Sequence, residues 1–112
     1  MVYVVANWKM NKTKDESISF LKDLNALTEG VVDSSLCRIL ISPPIIHLPV
    51  IEQSIGKTGL VAQNIACKEN GAYTGETSVT MLPEKVSHVI VGHSERRHNF
   101  NEGSSLLLEK LK

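Results

Sequence analysis

What this sequence lacks narrows it first. It has no excess of one charge: Lys plus Arg number 12, Asp plus Glu number 12, and the formal net charge is zero with histidine neutral. Nucleic acids and anionic membrane surfaces are recognised through a basic excess, so both are argued against as partners. A small anion stays possible, because one local lysine is enough to hold it. There is no long hydrophobic run, and no N-terminal apolar stretch ending in a small-residue cleavage site, which argues against membrane spanning and secretion. Cysteine is scarce. Cys37 and Cys67 have no metal-type spacing and read as two buried thiols in a reducing cytoplasm. Low-complexity segments and linkers are missing as well. What is present is a globular composition, 42% hydrophobic and 21% charged over 112 residues, enough for one domain and not two.

Four short apolar runs read as strands: Val2 to Ala6, Ile39 to Ile41, Leu60 to Ala62 and Val89 to Val91. They are rich in Val and Ile and do not alternate with polar residues, the pattern of parallel strands covered on both faces. Helical patterns lie between them. Thr13 followed by Glu16 is a capping box, and Ile18, Leu21, Leu24 and Leu27 then recur at helical spacing until Gly30. A second helix is predicted from about Pro49, with Ile51 and Ile55 one turn apart. Residues 67–77 read as a loop, a short helix follows Ser78 and ends near Pro83, and the segment from Ser104 places Leu107, Leu108 and Leu111 on one face. The order βαβαβαβα is that of an α/β fold with right-handed crossovers, and it suits a barrel and a doubly wound sheet equally. The last helix reaches Lys112 without glycine, asparagine or a cap, so the chain is expected to end inside an element.

Three polar clusters sit where strands run into loops, the edge at which parallel α/β folds build sites. Asn7-Trp8-Lys9-Met10-Asn11 follows the first strand. A lysine there holds a phosphate or stabilises an oxyanion, and Asn7 positions an oxygen; a solvated lysine at a strand end is the plainer alternative. Gly92-His93-Ser94-Glu95-Arg96-Arg97 follows the fourth strand. Ser94 or its neighbour caps a new helix with Glu95 in its first turn, and the positive helix end favours a neutral His93 that donates a hydrogen bond to a carbonyl oxygen. Here the alternative is a histidine that only satisfies backbone groups, with Arg96 and Arg97 in a surface ion network. Gly71-Ala72-Tyr73-Thr74-Gly75-Glu76 follows the third strand and reads as a protruding tip, for partner contact or simply as a flexible loop. Gln63 and Asn64 end the third strand and are expected to face inward. His88 and His93 are expected on opposite faces, which speaks against a metal site.

Together these segments resemble the triosephosphate isomerase family. Asn7 to Asn11 is similar to its N-x-K-x-N segment, Ala62-Gln63-Asn64 to its third strand, Gly71 to Glu76 to its dimer-forming loop, and Val91 to Arg97 to its V-G-H-S-E-R-R signature. All occur in order, and the likeness runs from residue 2 to the end. The resemblance implies one partial domain over residues 1–112, the N-terminal (β/α)4 portion of a (β/α)8 TIM barrel, ending inside helix four. It implies an aldose-ketose isomerase of glycolysis and gluconeogenesis, cytoplasmic, homodimeric and without cofactor or metal, interconverting dihydroxyacetone phosphate and glyceraldehyde 3-phosphate. It gives catalytic roles to Lys9, His93 and Glu95, substrate contact to Asn7, Trp8 and Lys9, and dimer contact to Tyr73, Thr74 and Gly75. A neutral histidine is a known property of that family, so the dipole argument above is no independent derivation of it. The family's barrel has eight strands and roughly 250 residues. These 112 residues hold no counterpart of its glutamate base, closing loop or glycine-rich phosphate turns, so the chain alone is expected to be inactive. A non-catalytic fragment or a half-barrel interaction module is the alternative.

Overall fold

The computed structural model describes residues 1–112. In chain order the elements are β1 (Val2–Asn7), α1 (Lys14–Thr28), β2 (Cys37–Ser42), α2 (Leu48–Glu52), β3 (Gly59–Ala62), β4 (Val86–Val89), α3 (Ser94–Asn99) and α4 (Ser104–Leu111). Single 3-10 turns occupy Ile45–His47 and Val79–Met81.

Local chemistry fixes the helix ends. The Glu16 N–H donates to the Thr13 hydroxyl, and the Thr13 N–H donates back to the Glu16 carboxylate, both at 3.2 Å. This closes the box that satisfies two otherwise orphan donors at the start of α1. The helix ends at Thr28, and Gly30 turns the chain away in the left-handed region with φ 69°. Pro49 stands in the first turn of α2, where its missing N–H costs nothing. The short helix expected after Ser78 is only a single 3-10 turn, Val79–Met81, that ends before Pro83.

The four strands form one parallel sheet in the order β1-β2-β3-β4. Pairing of β1 with β2 is continuous from Val2 opposite Cys37 to Asn7 opposite Ser42. The main core joins Leu21 of α1, Leu48 and Ile51 of α2, and Ile55 to one sheet face through Ile41, Leu60 and Ala62, with Trp8 beside them. Each fully buried Leu or Ile there contributes about 1.5–3 kcal/mol.

Four expectations are corrected. The fourth strand is Val86–Val89, not Val89 to Val91. Its ladder pairs Val86 with Leu60, His88 with Val61 and Val89 with Ala62, and ends after the Ile90 N–H donates to the Ala62 carbonyl. Register against β3, not the apolar run, sets its limits, so Ser87 and His88 lie inside it. Second, β1 is not covered on both faces: Val2, Tyr3, Val4 and Val5 are 62%, 55%, 50% and 49% exposed, because β1 is an edge strand. Third, the apolar stripes are only partly used. Leu21 is buried but Ile18 and Leu27 are exposed, and in α4 only Leu107 is buried while Leu108 and Leu111 face solvent. Cys37 and Cys67 are free and half-buried rather than buried.

The sheet is rolled. Strands lie about 4.8 Å apart, so β1 and β4 would be separated by about 14 Å in a flat sheet. Yet Tyr3 of β1 and His88 of β4 meet edge to face, with ring centroids 6.3 Å apart. This contact across β2 and β3 fits a curved sheet, the barrel alternative of the two architectures left open by the element order.

Candidate active site

The rolled sheet brings the loops after β1 and β4 together at its C-terminal rim. Lys9 follows β1 directly and takes a left-handed backbone, φ 55°. Its N–H donates to the Asn7 side-chain oxygen at 2.9 Å, and the Asn11 amide donates to the Trp8 carbonyl at 2.8 Å, so the turn is held by its own asparagines. From this turn the Lys9 ammonium reaches Glu95 Oε1 at 2.7 Å.

The other wall begins at Gly92. Its φ of 74° is one that side-chain-bearing residues avoid, and it reverses the chain into α3. A Cβ there would lie 3.1 Å from a Leu107 methyl and 3.4 Å from the Arg97 guanidinium. His93, rather than Ser94, is the N-cap of α3, and the Glu95 N–H donates to its Nδ1 at 3.1 Å. That bond makes Nδ1 an acceptor, so the neutral ring carries its proton on Nε2. The Glu95 carboxylate also lies 3.7 Å from Nδ1, too long for a hydrogen bond, and the backbone contact settles the tautomer. The hydrogen bond from Lys9 holds the Glu95 carboxyl below its usual range; slight desolvation opposes this, while the charge of Lys9 and, when the ring is protonated, that of His93 add to it. Lys9 and Glu95 are about half exposed and His93 less so, so the cluster opens to solvent at the rim.

The structure thus brings together Lys9, Asn7, His93 and Glu95. It does not bring the Trp8 ring there. Trp8 is 7% exposed and packs edge to face on Phe20 at 5.2 Å, with the Lys12 ammonium 5.4 Å from its ring centre. Successive residues of an extended chain point to opposite faces, so with Asn7 turned to the site Trp8 is turned to the helices. Tyr73, Thr74 and Gly75 form an exposed tip far along the chain from this cluster, its base closed by the Ala66 N–H on the Thr77 carbonyl at 2.8 Å. A cavity of about 660 Å³ lies at the opposite end of the sheet, between the end of α1 and the strand starts near Ile39 and Thr58, and contains none of the cluster residues.

Two groups of residues were not given roles by sequence reasoning. Gln63, just after β3, donates through its amide nitrogen to the Lys9 carbonyl at 2.8 Å and to the Ser42 carbonyl at 2.9 Å. Glu102, 6% exposed, accepts from Arg96 and, at 3.0 Å on each oxygen, from Lys110, which also donates to Asn64 at 2.7 Å. Burial pushes the Glu102 carboxyl up, but the hydrogen bonds from Lys110 and Arg96 outweigh it and hold the group below its usual range. Lys110 stands one turn after the buried Leu107, and that spacing was the available signal.

The family model for triosephosphate isomerase matches residues 2–112. The chain belongs to the triosephosphate isomerase family. A protein named triosephosphate isomerase from Porphyromonas gingivalis strain ATCC 33277 is 46% identical over 112 residues, covering 97% of this chain and 44% of the relative. Relatives of the same name from Bacteroides fragilis strain YCH46 and Clostridium botulinum strain Loch Maree are 41% and 39% identical, with the same coverage. The chain therefore spans less than half the length of these relatives. Its four parallel strands alternating with helices are an incomplete (β/α) barrel portion, in keeping with the curvature described above. No helix is long and apolar enough to cross a membrane.

Proposed function

We propose that this chain supplies the lysine and histidine side of a triosephosphate isomerase site, acting on dihydroxyacetone phosphate and glyceraldehyde 3-phosphate. The observation that carries the reading is the cluster of Lys9, Glu95 and His93, drawn from the two edge strands onto one rim. Isomerisation moves a proton between adjacent carbons through an enediolate. Lys9 supplies positive charge for the substrate's anionic groups and for the enediolate oxygen. His93, with Nδ1 occupied by the Glu95 N–H, is left with Nε2–H as a donor to a carbonyl oxygen. Glu95 holds the ammonium until an anion competes for it, and Asn7 fixes the turn while offering its amide to substrate. The loop tip with Tyr73, Thr74 and Gly75 is assigned to contact between two copies in a homodimer, and the compartment to the cytoplasm, where two free thiols persist.

The 112 residues alone are expected to give no useful turnover. Abstracting a proton from carbon needs a positioned base, worth roughly a hundred- to ten-thousand-fold, and no carboxylate besides Glu95 stands in the cluster. The test is complementation. The chain is assayed with both triose phosphates alone, then mixed with the complementary portion of the Porphyromonas gingivalis relative. Turnover should appear only on mixing and should fall at least a hundredfold with Lys9→Met or His93→Ala. Turnover by the chain alone, or mixed turnover indifferent to both substitutions, would refute the reading.

A further inference from the structure

We infer that Gln63 is a positioning residue that sets the aim of Lys9. The reasoning starts from the Lys9 backbone. A lysine at φ 55° sits where a Cβ crowds the following carbonyl, a conformation that persists only when its surroundings over-determine it. The local hold is one-sided. Asn7 takes the Lys9 N–H, leaving the Lys9 carbonyl free to rotate about the next peptide. The only side chain that reaches that carbonyl is Gln63.

Gln63 spends both amide hydrogens at once, one on Lys9 and one on the Ser42 carbonyl. Ser42 ends β2, and its carbonyl also accepts the Trp8 N–H at 3.0 Å. One uncharged side chain, placed at the end of β3, therefore ties the turn after β1 to the end of β2. The three strand ends are locked in one relative position, and the Lys9 peptide cannot flip without losing a partner. The consequence is directional. With the peptides on both sides of its Cα fixed, the Lys9 side chain departs toward Glu95, where its ammonium is held at 2.7 Å. An amide suits this role better than a carboxylate or an ammonium, since two carbonyl acceptors need two hydrogens and no charge. Gln63 touches neither the ammonium nor His93, so it acts through Lys9.

This rests on the reading of Lys9 as the cation of the site, but its test follows Lys9 geometry and not turnover, so the two can fail separately. The full 112-residue chain, labelled with carbon-13 at glutamate and nitrogen-15 throughout, is titrated by NMR as wild type, Gln63→Met, Lys9→Met and the double variant. Methionine keeps the length and removes both donors. Gln63→Met should raise the Glu95 carboxyl midpoint toward the ordinary value and weaken the strong intraresidue contact between amide and α protons that marks a left-handed Lys9. Lys9→Met should raise the same midpoint, and adding Gln63→Met to it should raise it no further. A Glu95 midpoint unmoved by Gln63→Met, or moved equally with Lys9 absent, would overturn the proposal. Should Gln63→Met fail to fold, the wild type decides: the Gln63 side-chain amide protons must show close contacts to the Lys9 and Ser42 backbones, and their absence would overturn it as well.

Discussion

Removing Lys110 is the sharpest test of how this half-sheet holds its last helix. Its side chain is 4% exposed and its ammonium is shared between both Glu102 oxygens and the Asn64 amide oxygen. Lys110→Met keeps the aliphatic packing but leaves Glu102, also 4% exposed, with Arg96 alone. Breaking a buried pair from one side costs about 3–5 kcal/mol, because the remaining charge is left desolvated. A 112-residue chain has about 5–15 kcal/mol in total, so the loss consumes a large share. With a urea slope of about 1–3 kcal/mol per molar, the unfolding midpoint should fall by more than one molar. Urea unfolding followed by circular dichroism measures it. The double variant Glu102→Leu with Lys110→Met removes both charges, leaves Arg96 able to reach solvent, and should cost less than the two single changes added. Acid supplies a second readout. The folded Glu102 value lies below the unfolded one, so its stabilisation is complete above about pH 4.3, the ordinary glutamate value, and is lost as pH falls through the folded value. Lys110→Met should flatten that acid loss. Single substitutions costing under about 1 kcal/mol, or strictly additive ones, would refute the reasoning, since they fall in the range of exposed pairs.

Gly92→Ala should destabilise by about 1–2 kcal/mol from the left-handed backbone alone, with more from crowding Leu107 and Arg97, read as a lower urea midpoint and displaced His93 ring signals. Thr13→Ala opens the capping box of α1 and should cost about 1 kcal/mol, seen in the same assay. The chain should elute from a sizing column as a dimer or larger species, because β1 presents an exposed apolar edge. Val4→Lys puts a charge on that edge and should shift elution toward the monomer; unchanged elution would move the contact elsewhere.

Much of this was legible in the sequence, for physical reasons that differ by element. The start of α1 was readable because Thr13 and Glu16 satisfy backbone donors locally, with no need of the rest of the fold. Strands β2 and β3 were readable because both are interior and their apolar residues are buried. β4 was placed two to three residues too late because its limits come from pairing with β3, and its exposed Ser87 and His88 carry no apolar signal. Lys9, His93 and Glu95 were legible from their places at strand ends, but their contact depends on sheet curvature, which no residue announces. Trp8 went astray because likeness to a motif says nothing of which face a side chain takes. Gln63 escaped because its partners Lys9 and Ser42 are distant in sequence, and Glu102 because its contacts to Arg96 and Lys110 depend on how α3 and α4 are set against each other.

The strand order has a consequence for assembly. Every strand pairs with the one made just before it, so each addition to the sheet closes a modest loop and the structure can grow in the direction of synthesis. The contact between Lys9 and Glu95 breaks that pattern. It joins the first strand's loop to the fourth's and becomes available only when the intervening sheet has curled. The charged cluster therefore reports on sheet curvature: with β1 to β3 alone the Lys9 ammonium lacks Glu95, and the contact needs β4 and its following loop in place.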